Sequence, residues 1–217
     1  MADYATQRFN MVETQVRTND VTDIRLHQVM NAVARERFVP AAKRAVAYAD
    51  VPVEVAPGRF LLDPRTFAKL LQLANLRGTD TVLDVACGTG YSSVVIGRIV
   101  RSVVALEQDA DLVRIASDMI PASGAPNVTV VQGGLTEGHK ARAPYSLICI
   151  NGAVESVPDS LFDQLAEGGR LVAVIQSGAQ GHAHLFVKDK GRVGGRADFD
   201  ATVPALAGFK KVVGFVF

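Results

Sequence analysis

Residues 81–91 read TVLDVACGTGY, an apolar segment that runs directly into a turn containing Gly88 and Gly90. The first five residues of this stretch predict a short buried strand, because a brief apolar run ending at a glycine turn is typical of one. The apolar residues after the turn, 91–100, predict a helix. A strand, a glycine turn and a helix in this order open a βαβ unit, in which a crossover helix joins two parallel strands.

The same alternation of strands and helices continues toward the carboxyl end of the chain. Further strands are predicted at residues 102–107, 128–131, 145–151 and 170–175, with helices at 111–119 and 159–166. Such alternation predicts a mostly parallel sheet with right-handed crossovers, and the apolar strands favour a sheet covered on both faces. Two last strands, at 184–187 and 210–217, have no helix between them and predict an antiparallel hairpin at one sheet edge.

The residues before this alternating region are predicted to be mostly helical. Residues 1–45 favour helix, and Thr22 or Asp23 is suited to cap a helix with apolar residues at helical spacing. Residues 48–57 are predicted to be irregular or extended, because the prolines in this segment resist a long helix.

Another helix is predicted after Pro64, with its end at Gly78. The length of 217 residues favours one domain. We therefore predict a single α/β domain over residues 1–217, with a helical and irregular extension at 1–57 and a Rossmann-like core at 58–217.

The amino-acid composition argues against two classes of binding partner, nucleic acids and membranes. Hydrophobic residues make up 48% of the chain and charged residues 21%, which is typical of a globular protein. The net charge of +1 does not favour a nucleic-acid partner, which would need a basic surface. No apolar run approaches the roughly 20 residues that span a bilayer, so no membrane partner is predicted.

The chain carries few features of secreted or metal-binding proteins. Its start, residues 1–4, lacks the basic and apolar regions of a signal peptide. Cys87 and Cys149 are too few for a disulfide framework, which favours a cytoplasmic location. His182 and His184 have no third ligand nearby in sequence, so no metal site is predicted.

The glycine turn and a distant acidic residue together predict a cofactor site. In a doubly wound sheet, ligands bind at the carboxyl ends of the strands. Asp84 and Gly88 lie at the end of the first core strand, and Glu107 ends the second. An acidic residue at that place can accept hydrogen bonds from both ribose hydroxyls of an adenosine-containing ligand.

Two residues favour S-adenosylmethionine over NAD as this ligand. A dinucleotide site prefers a third glycine in G-x-G-x-x-G, where this chain has Ser93. Asp84 would repel a pyrophosphate but suits the ammonium of an amino-acid moiety. An NAD-dependent oxidoreductase is therefore the less favoured function. We expect Ala86, Cys87 and Gly88 to surround the cofactor together with Asp84 and Glu107.

Several further stretches resemble the protein-L-isoaspartate O-methyltransferase family of class I methyltransferases. They are residues 11–16 (MVETQV), 36–40 (ERFVP), 47–52 (AYADVP), 143–145 (APY) and 163–172 (DQLAEGGRLV), in addition to the glycine turn. The resemblance implies a seven-stranded, mostly parallel sheet with an antiparallel edge strand. It also implies a cytoplasmic enzyme that uses S-adenosylmethionine to methylate isoaspartyl carboxylates in damaged proteins, an activity of protein repair.

The loop at residues 58–65, GRFLLDPR, departs from this family's pattern. The family's loop reads Gly-Gln-Thr-Ile-Ser, followed one residue later by Pro, and its hydroxyls help to hold the substrate carboxylate. Here Phe60 and Leu62 stand in place of the Thr and the Ser. Losing a hydrogen bond to a charged group costs about 1.5–3 kcal/mol. A relative that binds S-adenosylmethionine but has another acidic acceptor, such as a small molecule, or no catalysis is therefore an alternative.

The same loop holds the candidate for an acceptor-binding group. No catalytic residue is assigned by the sequence, but Arg65 is a candidate, because a guanidinium can bind a carboxylate with two hydrogen bonds. The alternative is a solvated arginine in the first turn of a helix that Asp63 caps and Pro64 begins.

Smaller departures concern the cofactor side. The resemblance places Gly134 and Leu135 beside adenine, but Gly134 stands where the family has an aspartate that contacts the adenine amino group. Ala86 replaces the first glycine of the turn, and Ser146 and Asn151 stand where Asp and usually Thr are found.

Overall fold

The computed structural model describes residues 3–210, which form a three-layer α/β fold around a seven-stranded sheet. The strands are β1 (Val53–Ala56), β2 (Arg59–Leu61), β3 (Thr81–Val85), β4 (Ser102–Glu107), β5 (Val128–Gln132), β6 (Tyr145–Val154), β7 (Leu165–Ser177), β8 (Gln180–Asp189) and β9 (Arg192–Asp200). The large sheet has the order β5-β4-β3-β6-β7-β8-β9, while β1 and β2 form a separate antiparallel pair.

Six α-helices and several short helical turns accompany the strands. The α-helices are α1 (Tyr4–Met11), α2 (Ile24–Ala32), α3 (Pro64–Ala74), α4 (Tyr91–Gly97), α5 (Ala110–Ala122) and α6 (Asp159–Phe162). A π-helical turn spans Val12–Val16, and 3₁₀ turns span Arg17–Asn19, Arg35–Phe38, Ala41–Val46 and Lys140–Arg142. In the described part of the chain, no helix is both long and apolar enough to cross a membrane.

The first five strands of the large sheet are parallel, which confirms the prediction of βαβ units. The strand β3 lies between β4 and β6, and the chain continues from β3 to β4 on one side and later returns to β6 on the other. The strand order therefore reverses next to β3, and the carboxyl end of β3 faces the crevice where such sheets bind ligands.

The antiparallel edge differs in detail from the sequence prediction. The strand β8 forms a hairpin with β9, residues 192–200, which the sequence did not predict, and residues 211–217 of the predicted strand at 210–217 lie outside the described residues. Lys190 and Gly191 connect β8 to β9 with φ angles of 50° and 74°, which suit the two-residue turn of a tight hairpin. The strand was missed because its two glycines and four charged residues weaken a strand pattern.

Helix ends follow the predicted caps at some places and differ at others. The Asp63 carboxylate accepts from the Thr66 backbone N–H at 2.8 Å, so it caps α3 as predicted. The end of α3 is wrongly predicted, because Asn75 takes the left-handed conformation that stops the helix before Gly78. The predicted helix at 159–166 is also too long, since β7 already begins at Leu165.

The hydrophobic core has one large cluster and one smaller one. The large cluster joins apolar residues of the N-terminal extension, of α3 and α4, and of the sheet. Its members include Met11, Val16, Leu26, Met30, Phe38, Leu70, Val95, Leu147 and Val172. The N-terminal extension therefore buries its apolar residues together with those of the Rossmann-like core.

Candidate functional site

The turn after β3 has the backbone shape that close ligand approach requires. Gly88 and Gly90 have φ angles of 57° and 94°, a region that glycine enters without steric cost. A Cβ atom on Gly90 would lie 2.7 Å from a side-chain carbon of Ile120, so a glycine here lets the start of α4 pack against α5. Ala86 also has a positive φ, 60°, at a cost of about 1 kcal/mol for a residue with a Cβ.

Asp84 lies fully buried at the end of β3. Its carboxylate accepts hydrogen bonds from the hydroxyls of Ser92 at 2.6 Å and Ser93 at 2.5 Å, and from Asn151 Nδ2 at 2.7 Å. Burial raises the pKa of Asp84 above its ordinary value, and these hydrogen bonds oppose the shift. No lysine or arginine of residues 3–210 pairs with it, so the site suits a cationic ligand group.

Two of the residues that donate hydrogen bonds to Asp84 are ones that depart from the expected sequence patterns. Ser93, which argued against a dinucleotide site, donates to Asp84. Asn151, a departure from the family's pattern, also donates to Asp84 from the neighbouring strand β6. Asn151 reaches Asp84 across 67 positions and Ser93 across 9, and neither contact was predicted.

Glu107 lies at the end of β4 and is also fully buried. Its Oε2 accepts from the Gly88 backbone N–H at 3.1 Å, which brings the second strand's acid to the glycine turn. Its Oε1 accepts from the backbone N–H groups of Gln108 at 2.8 Å and Asp109 at 3.2 Å. The same oxygen accepts from Arg59 Nε at 3.2 Å, an ion pair that the sequence did not predict.

Gly134 and Leu135 follow β5 beside the same edge of the sheet. The backbone N–H of Gly133 donates to the carbonyl of Glu107 at 3.0 Å, which ties this loop to the end of β4. Leu135 is buried, and a Cβ on Gly134 would lie 3.1 Å from the Glu137 carboxyl carbon. The carboxyl ends of β3, β4 and β5 therefore bring the predicted cofactor residues to one edge.

The pair β1–β2 covers the glycine turn, and we call it the cover hairpin. A Cβ on Gly88 would lie 3.7 Å from a Val55 methyl group, which shows how closely β1 approaches the turn. An ion pair of 2.9 Å between Lys43 and Glu54 ties the hairpin to the 3₁₀ turn before it.

A cavity of about 10 Å³ lies beneath the cover hairpin, which is space for about one water molecule. Its lining includes Phe60, Leu62, Ala86, Cys87, Ser92 and Asn151. Burial raises the pKa of the Cys87 thiol well above its usual value. Cofactor-loop residues and the divergent loop residues therefore face the same small space.

Arg35 is a buried cation against this cavity, and no sequence pattern pointed to it. It is fully buried, its Nε donates to the Ala47 carbonyl at 2.7 Å, and its Nη2 donates to the Leu62 carbonyl at 2.6 Å. Its Nη1 and the Tyr91 hydroxyl have no hydrogen-bond partner within residues 3–210. The guanidinium carbon lies 4.8 Å from the centroid of the Tyr91 ring, and burial lowers the pKa of Arg35.

Arg65, the arginine that the sequence suggested, lies elsewhere. It is exposed in the first turn of α3 and does not line the cavity. No group of three or more His, Cys, Asp or Glu side chains within residues 3–210 is arranged to hold a metal ion.

Comparisons with known proteins show which family the chain belongs to. The model of the family described as "Protein-L-isoaspartate(D-aspartate) O-methyltransferase (PCMT)" matches residues 7–203. Protein-L-isoaspartate O-methyltransferases of Koribacter versatilis and Methanoculleus marisnigri are 34% and 32% identical to the chain. The first match covers 88% of this chain and 86% of its relative, and the second covers 86% and 85%.

Solved structures share the fold at lower identity. A protein-L-isoaspartate O-methyltransferase structure matches with a TM-score of 0.81 and 23% identity, over 95% of this chain and 67% of the other. A Plasmodium falciparum structure, described as a putative member of this family in complex with S-adenosyl-L-homocysteine, matches with a TM-score of 0.77 and 20% identity, over 95% and 99%. By its sequence relatives and the matched family model, the chain belongs to the protein-L-isoaspartate O-methyltransferase family.

Proposed function

We propose that this chain is an S-adenosylmethionine-dependent methyltransferase that methylates a protein or peptide carboxylate, with the isoaspartyl carboxylate as the acceptor. The observation that carries this proposal is the placement of two buried acids, Asp84 and Glu107, on either side of one glycine turn. Family membership supports the methyltransferase activity and the acceptor named for the relatives.

The residues of the site fit this cofactor. Asp84 has a buried carboxylate with neutral hydrogen-bond donors only, which suits the cofactor's ammonium. Glu107 would accept from the ribose hydroxyls, and Gly88 would allow the backbone to approach the ligand. Leu135 would contact the adenine from the loop after β5. When bound, S-adenosylmethionine supplies an electrophilic methyl group on a sulfonium.

The proposed reaction needs alignment more than proton transfer. A carboxylate is ionised at neutral pH, so its oxygen needs no general base. Bound S-adenosylmethionine would supply the methyl group to that oxygen, and the products would be a methyl ester and S-adenosylhomocysteine. Phe60 and Leu62 would exclude water from this step, and holding the reactants in line would supply much of the acceleration.

The negatively charged acceptor carboxylate needs a hydrogen-bond donor, because Phe60 and Leu62 stand where the family has the hydroxyl groups of Thr and Ser. Arg35 supports this role better than Arg65, because Arg35 is buried against the cavity and has a free Nη1, whereas Arg65 is exposed. A guanidinium can bind a carboxylate with two hydrogen bonds. The cavity has space for only about one water molecule, so the loop that lines it must move when an acceptor enters.

A methyl-transfer assay tests the proposal. The protein would be incubated with methyl-labelled S-adenosylmethionine and a peptide containing isoaspartate, beside the same peptide with ordinary aspartate. We expect base-labile label only on the isoaspartyl peptide, at least tenfold less of it with Glu107→Gln, and unchanged transfer with the exposed control Arg44→Gln. Cofactor binding without label on the isoaspartyl peptide would overturn the acceptor, and absence of cofactor binding would overturn the whole proposal.

A further inference from the structure

One oxygen of the Glu107 carboxylate, Oε1, has no acceptor capacity left for another ligand. A carboxylate offers about four lone-pair positions on its two oxygens. In this structure it accepts four hydrogen bonds, from Gly88, Gln108, Asp109 and Arg59. Three of these donors share Oε1 and only Gly88 binds Oε2, so a ribose with two hydroxyl donors can bind both oxygens only after one donor leaves Oε1.

Three of the four donors are fixed by the fold itself. Gly88, Gln108 and Asp109 donate from the backbone, in the glycine turn and directly after β4. Arg59 donates from a side chain, and it belongs to the three-residue strand β2, which pairs with β1 and not with the large sheet. Arg59 is therefore the donor that can leave without unfolding the cofactor loop.

Burial makes the Arg59–Glu107 pair a substantial barrier. The side chains are 8% and 0% exposed, so the pair is scarcely screened by water. Arg59 belongs to the cover hairpin, and this hairpin closes the small cavity over Ala86 and Cys87. Opening the ion pair and lifting the hairpin are therefore parts of one movement.

We propose that Arg59 is a latch on the cofactor site: it competes with the ribose hydroxyls for Glu107 and so lowers the affinity and the association rate of S-adenosylmethionine. This inference rests on the proposed role of Glu107 as the ribose acceptor. Arg59 acts through Glu107 and is a positioning residue. A cofactor molecule binds when the ion pair is open, so the fraction of open protein limits the apparent affinity.

The variant Arg59→Gln tests the latch, because it removes the charge and keeps a polar side chain at this position. Glu107 keeps its three backbone donors, so the variant is expected to fold. Calorimetry with S-adenosylmethionine should show binding at least tenfold tighter than in the wild type. In stopped-flow experiments the wild-type binding rate should reach a plateau at high cofactor concentration, while the variant's rate should rise linearly.

Two matched variants separate charge from general disturbance. Arg59→Lys keeps the positive charge and should bind within about threefold of the wild type. Arg44→Gln makes the same charge change at an exposed residue of the 3₁₀ turn Ala41–Val46 and should leave binding unchanged. A merely structural role of Arg59 would lower the melting temperature of Arg59→Gln without tightening its binding.

The outcomes also separate this inference from the proposed function. Equal or weaker binding by Arg59→Gln, with clear binding by the wild type, would overturn the latch and leave the cofactor assignment standing. Binding by Arg59→Gln alone would support both. Absence of binding by every variant would overturn the proposed function, and the latch with it.

Discussion

Asp84 is a carboxyl group whose surroundings favour its neutral form. Its three hydrogen-bond donors are uncharged, and burial is the largest influence on its pKa, which lies above the ordinary value. For a carboxyl group with a raised folded-state pKa, the free energy of unfolding falls as pH rises from the unfolded pKa to the folded one. At neutral pH the free protein therefore carries a cost at this residue.

The variant Asp84→Asn tests whether the buried carboxyl group lowers the free energy of unfolding. We expect its free energy of unfolding at pH 7 to rise, because the substitution removes the charge whose burial is unfavourable. Its affinity for S-adenosylmethionine should fall at least tenfold, because the ammonium loses its counter-charge. Urea denaturation and calorimetry measure the two effects. Asp111→Asn, at an 87% exposed side chain, is the control, and a destabilised Asp84→Asn would contradict the argument.

The sequence could predict some site residues and not their partners. Asp84 and Glu107 are recognisable because acids at the ends of consecutive parallel strands meet at one sheet edge. Arg59 and Arg35 gave no such local signal, because Arg59 meets a residue 48 positions away and Arg35 meets Leu62 over 27 positions. Which arginine reaches which acid or carbonyl depends on tertiary packing.

At the scale of elements, the cover hairpin is what the sequence did not predict. The sequence predicts irregular or extended structure for residues 48–57 and a helix that Asp63 caps and Pro64 begins. The helix start at Asp63 and Pro64 is confirmed, but β1 and β2 have only four and three residues, too short for a periodic pattern. The element that covers the proposed cofactor site thus had the weakest sequence signal.

The alkylation rates of the two cysteines can measure how often the cover hairpin opens. Cys87 and Cys149 are both buried, and burial raises the pKa of both thiols, so both should react slowly with iodoacetamide. Cys87 lines the cavity below the cover hairpin, while Cys149 lies within β6. We expect Cys87 to be alkylated faster than Cys149, as measured by mass spectrometry of peptides.

The variant Arg59→Gln tests whether the ion pair with Glu107 keeps the cover hairpin closed. It should speed the alkylation of Cys87 by about tenfold or more and leave the rate of Cys149 unchanged, because only the hairpin opens more often. Equal rates for the two cysteines in the wild-type protein would mean that the hairpin does not open separately from the rest of the fold.

At the scale of the whole molecule, the N-terminal extension and the Rossmann-like core share one hydrophobic cluster. Met30 and Phe38 of the extension belong to the same cluster as Leu70, Val95 and Val172. Shared burial of this kind couples the unfolding of the two parts. The order and direction of the parallel strands were predictable because alternating strands and helices allow few topologies.

We therefore expect the chain to unfold in one cooperative transition. Differential scanning calorimetry should give equal calorimetric and van't Hoff enthalpies. Added S-adenosylhomocysteine should shift the whole transition upward, since a ligand that binds only the folded state stabilises all of it. Two resolved transitions, with only one moved by the ligand, would contradict the single-domain prediction.

The β8–β9 hairpin has a consequence for how the molecule behaves in a crowded solution. Within the described residues, β9 is the last strand of the large sheet, and its outer edge is the kind of surface on which other chains can add strands. It carries exposed charged residues, Arg192, Arg196, Asp198 and Asp200, and two exposed glycines in its middle. Charges and weak strand formers oppose edge-to-edge pairing, so the irregular composition that hid β9 in the sequence also makes this strand a poor template for aggregation.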